Sequence, residues 1–278
     1  MPKPSSSPVV FQDVLAEHLQ KNDESQSMDE AVSLAFFDWA NASEIAFRID
    51  DESQLTLHQD ISACGQHTGG IVWETSVLLF NYLLATNVEL KKKRVVEVGA
   101  GCGLLGMGLA ATKSPPRQVI LTETSQVLKN IQRNLEKNRP LVENCAVRAC
   151  ALDWTRLRED AAASDITRGC ADVVLGTDVL FSPALVDPLL ETLDFLLADK
   201  KKATVYICVQ VRCAASHEKF FRMAAERFVV DEVSPEDLKA IPECEWGPAT
   251  GCQLFLLSRR SKKHAREEAS EESKKKKR

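Results

Sequence analysis

The chain has 278 residues, 44% of them hydrophobic, which is enough to bury a core in one domain with extensions. It contains no run near the roughly 20 apolar residues of a membrane span and no apolar signal segment after Met1, so we expect a cytoplasmic protein, or one also present in the nucleus, without a membrane partner. The net charge is −5, but residues 259–278 hold ten Lys and Arg against four Glu, which leaves −11 for residues 1–258. An acidic body argues against DNA or RNA binding, which needs a basic face, and favours a basic protein partner.

The nine cysteines are odd in number and form no C-x-x-C pair. Several of them, including Cys145, Cys150 and Cys208, lie in apolar stretches typical of strands. We therefore expect buried free thiols in a reducing compartment, and no metal site.

The N-terminal part shows mixed signals. Residues 1–28 are rich in Pro, Ser, Gln and Asp, so we expect them to be disordered. Residues 29–40 have helical spacing, and alternating residues 45–49 and 55–58 predict a hairpin. Residues 29–66 are accordingly predicted to form a helix and hairpin that extend the main domain.

The main domain is predicted to cover residues 67–258, where short apolar strands alternate with helices. A helix is predicted at 74–85 and further helices at 103–113, 125–138, 183–199 and 215–226. The predicted strands are 94–98, 118–122, 146–152, 172–176 and 204–211, followed by 227–230 and 252–257 with no helix between those two. This pattern predicts an α/β fold, a Rossmann-like seven-stranded, mostly parallel sheet with one antiparallel strand and helices on both faces. Residues 259–278 form a charged basic tail that suits a nuclear localisation signal, a contact with an acidic partner or a solubilising end equally well.

The main chemical signal is the glycine-rich segment that joins the first predicted strand of this domain to a helix. Glu97 lies in the strand, and Gly99, Gly101 and Gly103 follow it at alternate positions. Glycines allow tight turns and let a ligand approach the backbone, and the helix start offers unpaired N–H groups. The segment therefore predicts a ligand-binding loop.

A dinucleotide-binding domain is the first alternative for this loop, because Gly101, Gly103 and Gly106 satisfy G-x-G-x-x-G. In that motif the first glycine ends the strand, and counting from Gly99 puts Leu104 where the third glycine belongs. The register next to the strand instead fits E-x-G-x-G-x-G, which is the form found in methyltransferases.

Glu123 ends the second strand of the predicted domain, twenty residues after Gly103. A carboxylate at this place can accept hydrogen bonds from both hydroxyls of a ribose. Taken alone, it would equally suit a solvated strand end or a cap for the helix that begins near Ser125.

Three more segments narrow the family: V-W-E at 72–74, L-D-W at 152–154 and D-V-L-F at 178–181. In this order, with the glycine loop, they resemble the family-16 group of seven-strand methyltransferases, the lysine methyltransferase-like group. The resemblance covers about residues 65–213 and is looser to 258. It implies S-adenosyl-L-methionine as cofactor and in-line methyl transfer to a lysine side chain of a non-histone protein, such as a chaperone or translation factor.

The resemblance also implies residue roles. Trp73 would contact the methionine end of the cofactor, Asp153 and Trp154 would flank its adenine, and Asp178 and Phe181 would be the catalytic residues beside the transferred methyl group. The full predicted cofactor-binding set is Trp73, Glu97, Gly99, Gly101, Gly103, Glu123, Asp153, Trp154 and Thr177.

Structural explanations compete with several of these roles. Trp73 could be a core aromatic, Trp154 could cover the sheet edge, Asp178 could cap a helix near Pro183, and Phe181 could simply pack. Several family members have Tyr at the position of Phe181. Arg212, after the fifth strand, is a candidate for substrate or loop contact, and surface solvation explains it equally well.

Other functions remain open at this point. Arginine or histidine is an alternative acceptor, and a small molecule or RNA is another. A cofactor-binding interaction protein without transfer activity is the alternative outside enzymology, and its discriminating feature would be decay of the glycine loop, Glu123, Trp154 or Asp178. All four are intact in this sequence.

Overall fold

A computed structural model describes residues 8–20, 28–61 and 68–260, and its first part is a small sheet with two helices. The elements are β1 Val9–Val10, α1 Phe11–Gln20, α2 Met28–Ala40, β2 Glu44–Arg48 and β3 Gln54–His58. β1 pairs parallel with β2, and β2 pairs antiparallel with β3, so the predicted hairpin is confirmed.

The prediction of disorder for residues 1–28 is wrong for residues 8–20. The reason is Phe11, which is only 3% exposed and lies 4.6 Å and 4.8 Å, between ring centroids, from Phe36 and Trp39. One well-buried aromatic residue stabilises a segment whose average composition is polar. Residues 1–7 and 21–27 lie outside the described part of the chain.

The main sheet has seven strands in the order β6-β5-β4-β7-β8-β10-β9. They are β4 Arg94–Val98, β5 Gln118–Glu123, β6 Ala146–Ala151, β7 Val173–Thr177, β8 Thr204–Gln210, β9 Phe228–Glu232 and β10 Cys252–Arg259. Only β10 among them runs antiparallel, against both β8 and β9, so the predicted sheet is confirmed. β10 includes Arg259, which the prediction had assigned to the tail, and the remaining tail residues 261–278 lie outside the described ranges.

Helices connect these strands. They are α3 Glu74–Ala85, α4 Leu104–Ala110, α5 Ser125–Lys137, α6 Leu157–Ala163, α7 Val186–Leu196, α8 Ala214–Arg227 and α9 Pro235–Lys239. The expectation of no helix between the last two strands is wrong, because α9 lies there. It spans only five residues, starts with Pro235 and is capped by Ser234, whose hydroxyl accepts the N–H of Asp237 at 3.0 Å.

The helices cover both faces of the main sheet. Val95 belongs to one buried cluster, which includes residues of α3 and α4, while Val96 and Val98 belong to another with residues of α7 and α8. Successive strand side chains point to opposite faces, so a strand buried on both sides is mostly apolar, and Glu97 is the polar exception in β4.

The small sheet is fastened to the main domain through its β3 edge. Asn138 accepts the N–H of Thr56 at 2.9 Å and donates to its carbonyl at 2.7 Å. Asn134 does the same with His58, at 2.7 Å and 3.0 Å, and also donates to the carbonyl of Cys102 at 3.1 Å. Asn134 of α5 and Asn138, which directly follows that helix, thus take the place of a neighbouring strand, and Asn134 ties the hairpin to the glycine loop.

Within the described ranges, no helix has the length and apolar character needed to cross a bilayer, and no group of His, Cys, Asp or Glu is arranged to hold a metal ion. The eight cysteines in this part of the chain are free thiols, and all but Cys213 are buried. Cys64 lies outside the described residues.

Candidate active site

A cavity of about 390 Å³ opens at the carboxyl ends of the parallel strands, where β4 lies between β5 and β7. The chain leaves β4 toward β5 on one side and returns to β7 on the other, so the loops diverge and leave a crevice, as expected for a doubly wound sheet. Its walls come from the segment before α3 and from the loops after β4, β5, β6 and β7. The predicted site residues on these walls are Trp73, Gly99, Gly101, Glu123, Asp153, Trp154, Thr177, Asp178 and Phe181.

The glycine loop presents bare backbone to this cavity. Gly99 and Gly101 have positive φ angles of 64° and 55°, which residues with a side chain rarely adopt. A Cβ added at Gly99 would lie 3.1 Å from Val179 and 3.5 Å from the Trp154 ring. Gly103 does not line the cavity. It precedes α4 with φ 85°, and a Cβ there would lie 2.8 Å from Met107, so its place in the structure is to start the helix.

Glu97 also lies away from the cavity wall, although it was predicted to contact the cofactor. Its carboxyl is 1% exposed beneath the glycine loop and accepts the N–H of Gly106 at 2.9 Å. Burial raises the pKa of Glu97 to about 8, the Gly106 hydrogen bond opposes this, and the nearby Glu123 carboxylate adds to it. The structure thus places Glu97 as a support of the loop.

The walls beyond the loop carry polar and aromatic groups at the ends of β5 and β6. Glu123 ends β5 on the cavity wall beside Gly69. Asp153 and Trp154 follow β6, and the Trp154 indole lies against Gly99 and so forms part of the wall. One oxygen of Asp153 accepts from both the N–H and the hydroxyl of Thr155, at 2.9 Å and 2.7 Å, so this carboxylate also caps a short 3-10 turn.

Asp178 follows β7 and is held from two sides. One carboxylate oxygen accepts the N–H of Gln210 at 2.8 Å, and the other accepts from Arg212 at 3.0 Å. Its φ of 50° is left-handed, and its side chain is 6% exposed. Burial raises its pKa, and the charge of Arg212 is the main effect in the opposite direction. No cap bond is made to the 3-10 turn at Pro183–Leu185, so the helix-cap explanation of Asp178 is not the arrangement observed.

Phe181 and Trp73 give the open side of the cavity its aromatic character. Phe181 lines the cavity and is still 42% exposed, which is unusual for a residue that serves only to pack. Trp73 precedes α3, and its indole N–H donates to the carbonyl of Thr68 at 3.0 Å.

Other wall residues lie within the segments that carry the resemblance, near a predicted site residue: Thr68, Gly69, Ile71, Val72, Ala100, Cys102, Leu152 and Val179. The wall residues that were not predicted are Ser76, Leu104, Thr124, Gln126, Val127 and Leu185. Nothing in the local sequence distinguishes Gln126 or Ser76, whose helices place them there.

Comparison with known proteins identifies the chain. Residues 49–227 match the lysine methyltransferase family. The chain belongs to this family. It is an S-adenosylmethionine-dependent lysine methyltransferase, as the order of its motifs predicted.

Relatives within the family are moderately similar to this protein. Protein N-lysine methyltransferase METTL21A of Danio rerio is 29% identical over 65% of this chain and 77% of its own length. EEF1A lysine methyltransferase 3 of Mus musculus is 32% identical over 54% of this chain and 60% of its own length. Histone-arginine methyltransferase METTL23 of Xenopus laevis is also 32% identical, over 52% of this chain and 59% of its own length.

The cavity suits the cofactor of this family. Its volume of about 390 Å³ falls in the range of roughly 300–1,000 Å³ that is common for small-molecule sites. When bound, S-adenosylmethionine supplies a methyl group already activated on a sulfonium. The backbone of Gly99 and Gly101 can approach such a ligand without a Cβ in between, Glu123 offers acceptors for hydroxyl groups, and Trp154 offers an indole face.

Proposed function

We propose that the cavity beneath Phe181 is the active site and that the acceptor is a lysine in a basic segment of a non-histone protein. The observation that carries this proposal is the position of Asp178 and Phe181, which line the same cavity as Gly99, Gly101 and Glu123. The cofactor-binding and acceptor-binding groups therefore share one space. The residue roles given by the resemblance, including Trp73 at the methionine end, are part of this proposal.

The aromatic side chains at the opening of the cavity, Phe181 and Trp73, provide a reason why the acceptor is a lysine. A lysine ammonium, with an ordinary pKa of about 10.4, has no lone pair and must lose its proton before it can attack. An apolar wall such as Phe181 disfavours the charged form through desolvation. Transfer then depends on holding the amine in line with the methyl group, which is a matter of positioning.

The substrate proposed is a translation elongation factor or a chaperone. One relative is named for methylation of EEF1A, and the acidic body of the present chain, at −11 for residues 1–258, favours a basic segment around the target lysine. The chain is proposed to work in the cytoplasm, and also in the nucleus if residues 261–278 act as a localisation signal. Comparing the cellular distribution of the full chain with that of a chain truncated after residue 260 tests this last point.

The test of the activity is labelling of a cell extract. Purified protein is incubated with methyl-labelled S-adenosylmethionine and an extract from the same source. Gly101→Arg fills the cofactor loop and should abolish labelling, while Gln132→Arg adds the same side chain on the exposed face of α5 and should not. A discrete labelled protein that yields methyl-lysine on hydrolysis is the expected result.

The other outcomes separate the alternatives. Methyl-arginine in the labelled protein would sink the lysine assignment and favour the activity for which the METTL23 relative is named. Cofactor binding without protein labelling would favour a small-molecule substrate or a non-catalytic interaction protein. Failure of the wild-type chain to bind S-adenosylmethionine would overturn the assignment of the cavity.

A further inference from the structure

Arg212, which follows β8, contacts two other segments at the rim of the cavity. Its guanidinium donates to Asp178 after β7 at 3.0 Å and to Glu74 at the start of α3 at 2.8 Å. It also lies 4.7 Å from the ring centroid of Trp73. Two of these three contacts are with residues that line the cavity, so one side chain fixes both sides of the rim.

The geometry fits arginine specifically. A planar guanidinium can donate to two carboxylates in its own plane while its face stacks on an indole, and a lysine ammonium cannot combine these contacts. The side chain of Arg212 is only 34% exposed, and those of Glu74 and Asp178 are 15% and 6% exposed. These charges are thus partly shielded from water. In such a partly buried place a stacked and paired cation is held more firmly than on an open surface.

Without Arg212, the cluster at the rim would hold two negative charges and no positive charge. Glu74 and Asp178 supply two carboxylates, and Arg212 supplies one positive charge, so one net negative charge remains. Among the residues that the structure describes, the thiols of Cys208 on β8 and Cys252 on β10 also interact electrostatically with these carboxylates. Burial raises the pKa of both thiols, that of Cys252 to about 12, so they remain neutral over the working range.

We propose that Arg212 is a positioning residue that compensates the charge of Asp178, so that the rim accepts the substrate lysine as a neutral amine. This inference rests on the proposed function and names how its acceptor site is tuned. An uncompensated Asp178 would hold a lysine ammonium as an ion pair and keep it protonated, which opposes methyl transfer. With Arg212 in place, Asp178 keeps a fixed orientation, and the cluster of Arg212, Asp178 and Glu74 carries one net negative charge in place of two.

The test compares Arg212→Gln with Arg212→Lys, using the substrate protein identified by the labelling experiment. The pH dependence of kcat reports groups in the enzyme–substrate complex. For Arg212→Gln, the acidic limb of the kcat profile should move up by about one pH unit, with kcat near neutrality reduced about tenfold and KM unchanged or lower. Arg212→Lys keeps the charge, so its profile should stay within a few tenths of a unit while kcat falls because the stacked geometry is lost.

Controls separate this role from a general structural one. Arg222→Gln removes an exposed arginine of α8 and should leave both the profile and kcat unchanged. Cofactor affinity and unfolding temperature, measured for all variants, show whether Arg212→Gln is folded. If Arg212→Gln does not fold, the pH profile of Arg212→Lys is the decisive measurement. A shifted profile for Arg212→Lys would then contradict the proposal.

Two results overturn the inference in different ways. An Arg212→Gln enzyme with a lower kcat but an unshifted profile would make Arg212 a purely structural or substrate-contacting residue. A large rise of KM with unchanged kcat would instead mean that Arg212 binds the substrate directly. If the wild-type chain labels no protein at all, the proposed function fails, and this inference fails with it.

Discussion

At the level of single residues, the glycine loop depends on a carboxyl group that lies beneath it. Glu97 is buried on β4 and accepts the N–H of Gly106, which belongs to the first turn of α4. A Cβ at Gly106 would lie 2.5 Å from this carboxyl and 2.3 Å from Leu121, so any larger residue would have to displace both side chains. The acid and the glycine together set how closely α4 approaches the sheet.

Glu97→Gln should stabilise the protein increasingly as the pH rises. The ordinary glutamate pKa of 4.5 applies to the unfolded chain, and burial raises the pKa of Glu97 to about 8 in the folded one. Between these values the unfolded state gives up a proton that the folded state keeps, so wild-type stability falls with pH across this window and levels off above it. Glutamine has the same size, can still accept from Gly106 and does not ionise.

The measurement is urea unfolding of both proteins at pH 5 and pH 8. The stability of Glu97→Gln relative to wild type should rise between the two by a few kcal/mol, on the order expected for a shift of this size. S-adenosylmethionine affinity should change little, since Glu97 does not line the cavity. A constant difference at both pH values would mean that Glu97 is ionised in the folded protein.

Phe181 should matter for transfer and hardly at all for stability. It is 42% exposed on the cavity wall, so Phe181→Ala should change the free energy of unfolding by less than about 0.5 kcal/mol. Loss of the apolar wall loosens the acceptor amine, and kcat should fall by roughly ten- to a hundredfold. Phe181→Tyr keeps the ring, and its hydroxyl can reach solvent, so kcat should remain within about threefold. Equal kcat values for the alanine and wild-type enzymes would remove Phe181 from the catalytic site.

The sequence predicted which residue types line the cavity better than it predicted their contacts. Gly99, Gly101, Glu123 and Trp154 follow strand ends, and parallel strands bring such ends to one edge, so pattern and topology suffice to place them. Glu97 shares their motif but points under the loop, a difference of side-chain direction that the motif does not encode. The ion pairs of Arg212 join segments 138 and 34 residues apart, beyond the reach of any local pattern.

At the level of elements, the junction between the hairpin and the main domain depends on two asparagines, one in α5 and one that directly follows it. Asn134 and Asn138 are buried, and their amides pair with the backbone of Thr56 and His58 on β3. Since Asn134 also donates to the Cys102 carbonyl, the hairpin and the glycine loop share one partner. An amide can both donate and accept, which is what an open strand edge requires.

Asn134→Ala should lower the free energy of unfolding by about 2–4 kcal/mol, although alanine is the better helix former. Three backbone groups, the partly buried N–H and carbonyl of His58 and the carbonyl of Cys102, lose a partner, and the His58 carbonyl keeps only the amide of Asn130 at 3.1 Å. Gln132→Ala, on the exposed side of the same helix, is the control and should be neutral or slightly stabilising. Urea denaturation decides the matter, and equal midpoints for the two variants would show that water replaces the asparagine.

Strands of the main sheet were predictable to within two residues because burial on both faces makes them mostly apolar. The short helices α6 and α9 were not, since seven and five residues give too few turns for a periodic pattern. α1 was missed for another reason. Its anchor is one aromatic residue, Phe11, inside a segment whose composition suggests disorder.

At the level of the whole molecule, the small sheet and the main domain share one core. Phe11 contacts Phe36 and Trp39, and the Phe47 ring lies 5.3 Å from Phe80 of α3. These residues belong to one buried cluster that continues to the strands of the main sheet. The N-terminal extension is therefore packed as a part of the domain.

Phe11→Ala should destabilise the entire described fold by about 3–5 kcal/mol, the usual cost of removing a buried phenylalanine ring. Far- and near-ultraviolet circular dichroism should report a single transition that moves to lower temperature, as expected when both parts unfold together. Two separate transitions, with only the first moved, would show that the small sheet unfolds independently. Phe37→Ala, which removes a 67% exposed ring of α2, is the matched control and should have little effect.

The charge of the molecule predicts how it meets its substrate. Residues 1–258 carry −11, and Glu232, at the carboxyl end of β9, lines a groove that Arg212 also lines. A basic substrate segment near the target lysine would be attracted there, so kcat/KM should fall about tenfold between 50 and 500 mM salt, through KM rather than kcat. Glu232→Lys should lower kcat/KM about two- to fivefold at low salt and leave the cofactor KM unchanged.

The control variant is Glu226→Lys, near the end of α8. It lies at the opposite end of the strands from Glu232, because β9 begins just after Glu226 and runs parallel to β8. Both substitutions change the net charge by the same amount, so a general charge effect would lower kcat/KM equally in both. A loss confined to Glu232→Lys, and abolished at high salt, would place the substrate on the groove beside Arg212. Salt-independent kinetics in all three proteins would mean that recognition depends on shape and apolar contact around Phe181, and that the acidic body has no part in it.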